Sequence, residues 1–212
     1  MPVVEHGTAG TTIGTAADRY GAAARRGGFF ERQVGAALRD WLSRRPDQLH
    51  LFHDLQRLRQ VRGAGADSLD LGEANIDHVV LSGEGWLMID AKGCGAGVLG
   101  VDEAGRGVLV RADGSAQPQP WMDHARFYSL AGALFRLTSG KRGHPVWVVP
   151  DDTRYDQSIG NAAFLRRGGT IANIGEIRAG ALDPRLPAPQ AVAEPGDVAR
   201  LLSHLCVASP LT

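Results

Sequence analysis

The sequence predicts an α/β fold in which helices flank a mixed β-sheet. Three observations support this: an amphipathic helical pattern in the first quarter of the chain, two adjacent strand patterns joined by a short glycine-containing link, and a later alternation of helical and strand patterns. The 212 residues suffice for one domain with tails, and a hydrophobic content of 43% is typical of a soluble protein with a sizeable core.

The first part of the chain predicts a tail, a helix and a strand. Residues 1–19 are rich in Gly, Ala and Thr without a sustained period, so we expect a flexible N-terminal tail. From Phe30, apolar residues recur at helical spacing until a proline ends the run, which predicts an amphipathic helix. The alternation of residues 49–55 predicts a strand, and the polar, glycine-rich residues 57–72 predict an exposed connection.

A β-hairpin is the clearest local prediction. Residues 74–81 and 85–91 are both strand-like, and the link Ser82-Gly83-Glu84 between them is short and contains glycine. Residues 93–111 continue with short apolar pieces broken by glycines, and they predict one or two further strands.

The second half of the chain predicts helices and strands in alternation. In order, these are a helix at 121–137, strands at 145–149 and 171–177, a proline-broken link at 186–189 and a helix at 196–205. We therefore expect one main domain over residues 20–180, with residues 181–212 packing on it through the last helix.

Charge and composition argue against several classes of protein. Lys plus Arg (23) equals Asp plus Glu (23), and this balance weighs mildly against tight, non-specific binding of nucleic acid. No stretch approaches the roughly 20 apolar residues of a membrane span, and the N-terminus lacks the pattern of a secretion signal. We therefore expect a cytoplasmic protein without a membrane partner. Cys94 and Cys206 are too few for a disulfide framework.

Three common nucleotide-binding and catalytic motifs are absent or out of context. Residues 95–100 match GxGxxG, but strand-like rather than helical sequence follows, which argues against a dinucleotide site. The chain has no GxxxxGKS/T loop and no GxSxG elbow, so nucleotide hydrolysis and serine-based hydrolysis lack their usual signals.

Two acidic residues interrupt the apolar faces of the predicted hairpin. Residues two apart share a face of a strand, so Asp77 lies with Val79, and Asp90 lies with Met88 and Lys92. Burying a carboxylate is costly unless it is paired or binds a cation. Two such residues on neighbouring strands, with a lysine beside one of them, call for a joint explanation.

A divalent metal ion provides that explanation. Mg²⁺ (or Mn²⁺) prefers oxygen ligands and typically uses one or two carboxylates, which fits Asp77 and Asp90, and the backbone carbonyl of Ala91 is a further candidate ligand. Lys92 would organise the attacking water or stabilise a pentavalent phosphorane. Glu31, at the edge of the first helix's apolar stripe, is a candidate ligand through water or a partner for Lys92. The alternatives are a structural salt bridge within the hairpin and an ordinary helix-start role for Glu31.

The segments that carry these residues resemble the nuclease-related domain (NERD) family, a branch of the PD-(D/E)XK nucleases. The resemblance covers about residues 20–149 and rests on Gly28-Phe29-Phe30-Glu31, Ile76-Asp77-His78-Val79-Val80 and Gly85-Trp86-Leu87-Met88-Ile89-Asp90-Ala91-Lys92. It implies a restriction-endonuclease-like fold and metal-dependent cleavage of DNA, with Glu31, Asp77, Asp90 and Lys92 at the active site.

Three departures separate the chain from the family pattern. Two phenylalanines stand between Gly28 and Glu31, where the family tends to have adjacent glycine and glutamate. Asp90 takes the place of the more usual glutamate. Before the second helix the family tends to show Asn-Pro and then glutamine, which this chain lacks, and His124 with Tyr128 is the candidate substitute near the phosphate.

We therefore expect a nuclease that depends on Mg²⁺ or Mn²⁺ and hydrolyses DNA. Arg25-Arg26 and Lys141-Arg142, near the ends of the two predicted helices, are the better candidates for phosphate contacts. The main alternative is a nuclease-like module without activity that binds nucleic acid or a protein, and a small-molecule phosphoesterase is a third. The sequence leaves open whether the chain forms a homodimer or has a protein partner.

Overall fold

Two mixed β-sheets and five α-helices make up the part of the chain that the structure describes. The computed structural model describes the backbone of residues 3–56, 58, 61, 75–123, 126–186 and 192–206, and the side chains of these residues except 12–20, 23, 24, 123, 126 and 127. The predicted α/β class, with helices flanking a mixed sheet, is confirmed. None of the described helices combines the length and apolar character that crossing a lipid bilayer would require.

The regular elements follow one another in a largely alternating order. The strands are β1 (Val4–His6), β2 (His50–Leu55), β3 (Ile76–Leu81), β4 (Gly85–Ala91), β5 (Gly97–Val101), β6 (Gly107–Val110), β7 (Ala116–Pro118), β8 (Arg142–Val149), β9 (Thr153–Tyr155) and β10 (Thr170–Asn173). The helices are α1 (Thr11–Leu42), α2 (Arg126–Leu137), α3 (Ala163–Arg166), α4 (Ile174–Arg178) and α5 (Pro195–Leu202).

The larger sheet has six strands in the order β1-β2-β3-β4-β8-β10. Strands β2, β3 and β4 pair antiparallel, so the predicted hairpin is present. The pairs β1–β2, β4–β8 and β8–β10 are parallel. Two apolar layers cover this sheet: α1 and α4 on one face, and α2, α5 and the second sheet on the other.

The second sheet, in the order β7-β6-β5-β9, differs from the expected single sheet. Glycines explain the difference, because Gly95 and Gly97 adopt positive φ angles of 82° and 152° between β4 and β5. A Cβ on Gly97 would lie 2.7 Å from the Val110 carbonyl oxygen. This close approach, open only to glycine, lets the chain leave the first sheet and pair with β6.

Residues 3–19 contain a strand and the start of a helix, whereas the sequence predicted a flexible tail over residues 1–19. Val4–His6 forms an edge strand that pairs with β2, and the first helix begins at Thr11 rather than Phe30. Its helical path is broken at Gly21, where φ is 59° and ψ is −133°. The prediction therefore missed a helical segment that lacks a regular apolar stripe.

One other element boundary also differs from the sequence prediction. The strand expected over 171–177 ends at Asn173, whose side chain accepts a hydrogen bond from the Glu176 N–H while the Glu176 side chain bonds back to the Asn173 N–H. This reciprocal cap starts α4 instead of continuing the strand. The expected connection over 57–72 (apart from residues 58 and 61), His124 and most of the proline-broken link lie outside the described residues.

Candidate active site

The hairpin brings the two predicted aspartates together. His78 lies opposite Ile89 in the antiparallel register, which makes Asp77 and Asp90 the next cross-strand pair. The Asp77 side chain is buried, and its Oδ2 accepts a hydrogen bond of 2.7 Å from the Ala91 N–H. Strand β4 therefore holds the Asp77 carboxylate through the backbone of Ala91, the residue that follows Asp90.

Lys92 forms an ion pair with the second aspartate along β4. Its Nζ lies 2.7 Å from Asp90 Oδ2, and the two side chains are 24% and 23% exposed. Burial lowers the pKa of Lys92, but the carboxylates of Asp90 and Asp77 outweigh it, so the pKa lies above its ordinary value. The lysine is therefore a cation at neutral pH, and this side of the cluster is open to solvent.

Glu31 joins the cluster from α1. Its side chain is only 4% exposed, and its Oε2 has no hydrogen-bond partner among the described residues. Burial, followed by the charges of Asp54 and Asp90, raises the pKa of Glu31 to about 8. Lys92 acts in the opposite direction without cancelling this rise. At neutral pH the Glu31 carboxyl therefore keeps its proton in most molecules unless a further cation is present.

The cluster contains three acidic side chains, Glu31, Asp77 and Asp90, and one cation, Lys92. Burial, then the charges of Asp90 and Glu31, raises the pKa of Asp77 well above its ordinary value, and Lys92 offsets only part of this rise. Crowded carboxylates with an unbonded buried oxygen fit a divalent cation, which would favour their ionised forms. No group of three or more His, Cys, Asp or Glu side chains in the described ranges has a metal-binding arrangement. Two carboxylates and a backbone carbonyl, the predicted ligands, are a smaller set of the kind that Mg²⁺ uses.

Asp54 is a member of this cluster that the sequence prediction missed. It is buried on β2 between His53 and Leu55, which pair with His78 and Ile76 on either side of Asp77. Its charge is one of the causes of the raised pKa of Glu31. Its φ is +54°, an unusual value for an aspartate within a strand, and its Oδ2 accepts the Thr11 N–H at 2.5 Å. The alternation of residues 50–55 predicts the strand, but it indicates neither the register against β3 nor the unusual backbone of this residue.

Buried histidines lie on the opposite face of the sheet. His53 Nδ1 is 2.7 Å from His78 Nδ1, and His53 Nε2 is 2.7 Å from the Glu5 carboxylate, which Arg39 also binds. Burial, followed by the neighbouring His53, lowers the pKa of His78 to about 3, so this ring is neutral. The predicted interpretation of His78 as a packed residue is consistent with its burial.

The second pair of basic residues predicted to contact phosphate lies away from the acids. Arg142 is opposite Gly85, at the far end of β4 from Asp90, and Lys141 Nζ lies 2.5 Å from the buried carboxylate of Asp197. Lys141 therefore holds the last helix to the body of the protein, which corrects the prediction. Tyr128 donates its hydroxyl hydrogen bond to the Phe164 carbonyl at 3.3 Å, and it has a structural partner instead of a free polar group.

Comparison of the chain with protein-family models, with curated proteins and with solved structures found no match. The geometry of the cluster of Glu31, Asp77, Asp90 and Lys92 therefore carries the functional argument.

Proposed function

We propose that the chain is a metal-dependent nuclease of the PD-(D/E)XK type that hydrolyses DNA phosphodiester bonds. The observation that supports the proposal most is the meeting of Asp77, Asp90 and Lys92 at one end of two paired strands, with the buried carboxyl of Glu31 beside them. A structural salt bridge would require one acid and one base. It leaves the two further acids unexplained.

Each side chain has a distinct role in this proposal. Asp77 and Asp90, with the backbone carbonyl of Ala91, would hold Mg²⁺ or Mn²⁺. Such an ion supplies a Lewis acid and lowers the pKa of water. The Ala91 N–H fixes the orientation of Asp77. The Lys92 ammonium, held by Asp90, orients the attacking water and stabilises negative charge that develops on the phosphate. Glu31 can hold or release a proton next to these groups.

The assignment of DNA as the substrate comes from the resemblance to the NERD family and from the chemistry of the groups. The carboxylates would hold a divalent cation, and this cation and the Lys92 ammonium would complement the negative charge of a phosphodiester. The zero net charge of the chain requires that any positive surface for the DNA backbone be local.

The test is cleavage of plasmid DNA by the full chain with Mg²⁺ or Mn²⁺. Asp90→Ala and Lys92→Ala should each reduce the rate by at least about 100- to 1,000-fold. Asp113→Ala, which alters an exposed turn, should cleave like the wild type. Circular dichroism should show that all variants stay folded. Retained cleavage in both site variants would remove the proposal. Faster turnover of simple phosphate esters than of plasmid would favour a small-molecule phosphoesterase instead.

A second candidate is a nuclease-like module that binds nucleic acid or a protein without cleaving. The zero net charge, the altered motif before the second helix and the lack of a three-residue metal group among the described residues favour it. Calorimetry with Mn²⁺ distinguishes the two. An enzyme should bind the ion and lose that binding in Asp77→Asn, whereas an inactive module should show no binding in either form.

A further inference from the structure

A groove lies between α1 and the loops that follow β4 and β8. Its volume is about 520 Å³. Residues of α1 form one wall, among them Arg25, Arg26, Phe29 and Phe30. The two loops form the other wall with two glycines, a proline and an aspartate, among them Gly93 and Asp152. The groove is adjacent to the acid cluster, because Gly93 follows Lys92 directly and Glu31 follows Phe30.

The helix wall presents an exposed aromatic ring next to two arginines. Phe29 is 57% exposed, an unusually large exposure for an aromatic ring. Arg25 and Arg26 lie four and three residues earlier, so all three project from one side of α1. Neither arginine has an ion-pair or hydrogen-bond partner in the described part of the chain. Asp152 is the one acid in the lining, so positive charge predominates.

The floor of the groove leaves room for a ligand close to the backbone. Phe30 is buried, and a Cβ placed on Gly93 would lie 3.8 Å from the Phe30 ring. The two glycines in the lining, Gly93 and Gly95, carry no side chain that would cover the groove. A flat group can therefore lie in the groove against Phe29.

We propose that this groove binds a single-stranded segment of DNA, with an unpaired base stacked on Phe29 and phosphates contacted by Arg25 and Arg26. A volume of this size suits a single small group and not the width of a duplex. Stacking needs an exposed base face, which a base inside a duplex does not offer. The claim that the strand then reaches the acid cluster rests on the proposed nuclease function, but the binding itself does not.

The experiment measures binding by fluorescence anisotropy in EDTA, where cleavage does not interfere. The full chain is titrated into a labelled single-stranded oligonucleotide and into a hairpin duplex of the same sequence. Phe29→Ala should weaken single-strand binding by about 5- to 100-fold, the loss of one stacked base. Phe29→Trp should retain it. The double variant Arg25→Gln with Arg26→Gln should reduce the slope of log K against log salt by about 1.4, because each lost phosphate contact contributes about 0.7.

Matched variants separate these effects from general changes of the surface. Phe135→Ala removes another exposed aromatic ring, 46% exposed and on α2, and Arg142→Gln removes an exposed arginine at the far end of β4. Both should bind like the wild type. Equal affinity for single strand and duplex, or an effect of Phe29→Ala no larger than that of Phe135→Ala, overturns the inference. Self-association that Phe29→Ala abolishes, with DNA binding unchanged, would assign the groove to a second copy of the chain and overturn it too.

The outcomes also separate this inference from the nuclease proposal. If Asp90→Ala abolishes cleavage while Phe29→Ala leaves binding unchanged, the groove inference fails and the nuclease stands. If the wild type does not cleave but binds single strands through Phe29, the nuclease proposal fails and the groove stands.

Discussion

The Glu31 carboxyl should make the stability of the metal-free protein depend on pH, and Glu31→Gln should remove that contribution. The carboxyl is buried beside other acids, and its pKa rises from 4.5 to about 8 on folding. Glutamine has nearly the same shape and no charge. The replacement therefore tests the ionisation of this one group and leaves the packing of α1 in place.

The direction of this pH dependence follows from whether the folded or the unfolded chain holds the Glu31 proton. Below pH 4.5 the carboxyl is protonated in the folded and unfolded chains, and it does not oppose folding by its charge. Between pH 4.5 and about 8 the unfolded chain loses the proton while the folded chain keeps it, so the free energy of unfolding falls as pH rises. At about 1.4 kcal/mol for each tenfold change in proton affinity, the full loss above pH 8 is roughly 5 kcal/mol. Because Glu31, Asp77 and Asp90 interact, they titrate as a cluster, from which the variant removes one member.

Urea unfolding in EDTA at pH 5, 7 and 8.5 measures the effect. The glutamine variant should gain stability relative to the wild type as the pH rises, by several kcal/mol across this range. Glu84→Gln, in the exposed turn of the hairpin, is the control for loss of one carboxylate and should show no comparable gain. A difference between Glu31→Gln and wild type that is the same at all three pH values would refute the electrostatic reasoning.

Three further predictions concern the packing of the fold. Gly143→Ala should destabilise the protein by at least about 1–3 kcal/mol in urea unfolding, because the added methyl group would overlap the Trp86 carbonyl and ring. Trp147→Ala should cost about 3–5 kcal/mol and lower the Tm in calorimetry by roughly 6–20 °C, because the side chain is 1% exposed in the core; a shift below 3 °C would contradict this. Asp197→Asn should cost about 3 kcal/mol in urea unfolding, since it leaves the Lys141 charge without its buried partner, and an unchanged midpoint would argue against that pairing.

Local patterns were sufficient to predict the hairpin, and therefore also the meeting of two carboxylates on it. Alternation along two strands joined by a short link determines which residues face each other, and Asp77 and Asp90 meet for that reason. Strand β1 had no such signal. Its three residues gain their backbone partners from β2, more than forty residues later in the chain, and that pairing leaves no local pattern.

Asp54 shows where the same reasoning stopped short. Its position, between the residues that pair with His78 and Ile76, depends on how β2 pairs with β3 across a long connection, and residues 57–72 gave no turn length from which to infer a register. The second sheet was missed for a different reason. Its strands are only three to five residues long, and the positive φ angles of Gly95 and Gly97 that redirect the chain are not encoded by any hydrophobic period.

The acid cluster opposes the fold that carries it, and this conflict links stability to the proposed function. Apolar side chains in place of Asp77 would continue the buried face of β3, whereas the carboxylate is forced toward its protonated form. A cation bound only by the folded chain would reverse this effect, adding about 2.7 kcal/mol of stability at a concentration 100-fold above its Kd. The stabilisation by the bound ion then comes from relief of the repulsion between the acids. The pH-dependent loss attributed to Glu31 should therefore shrink when Mn²⁺ replaces EDTA in the wild type, and a loss of equal size in both conditions would mean that no ion relieves the acids.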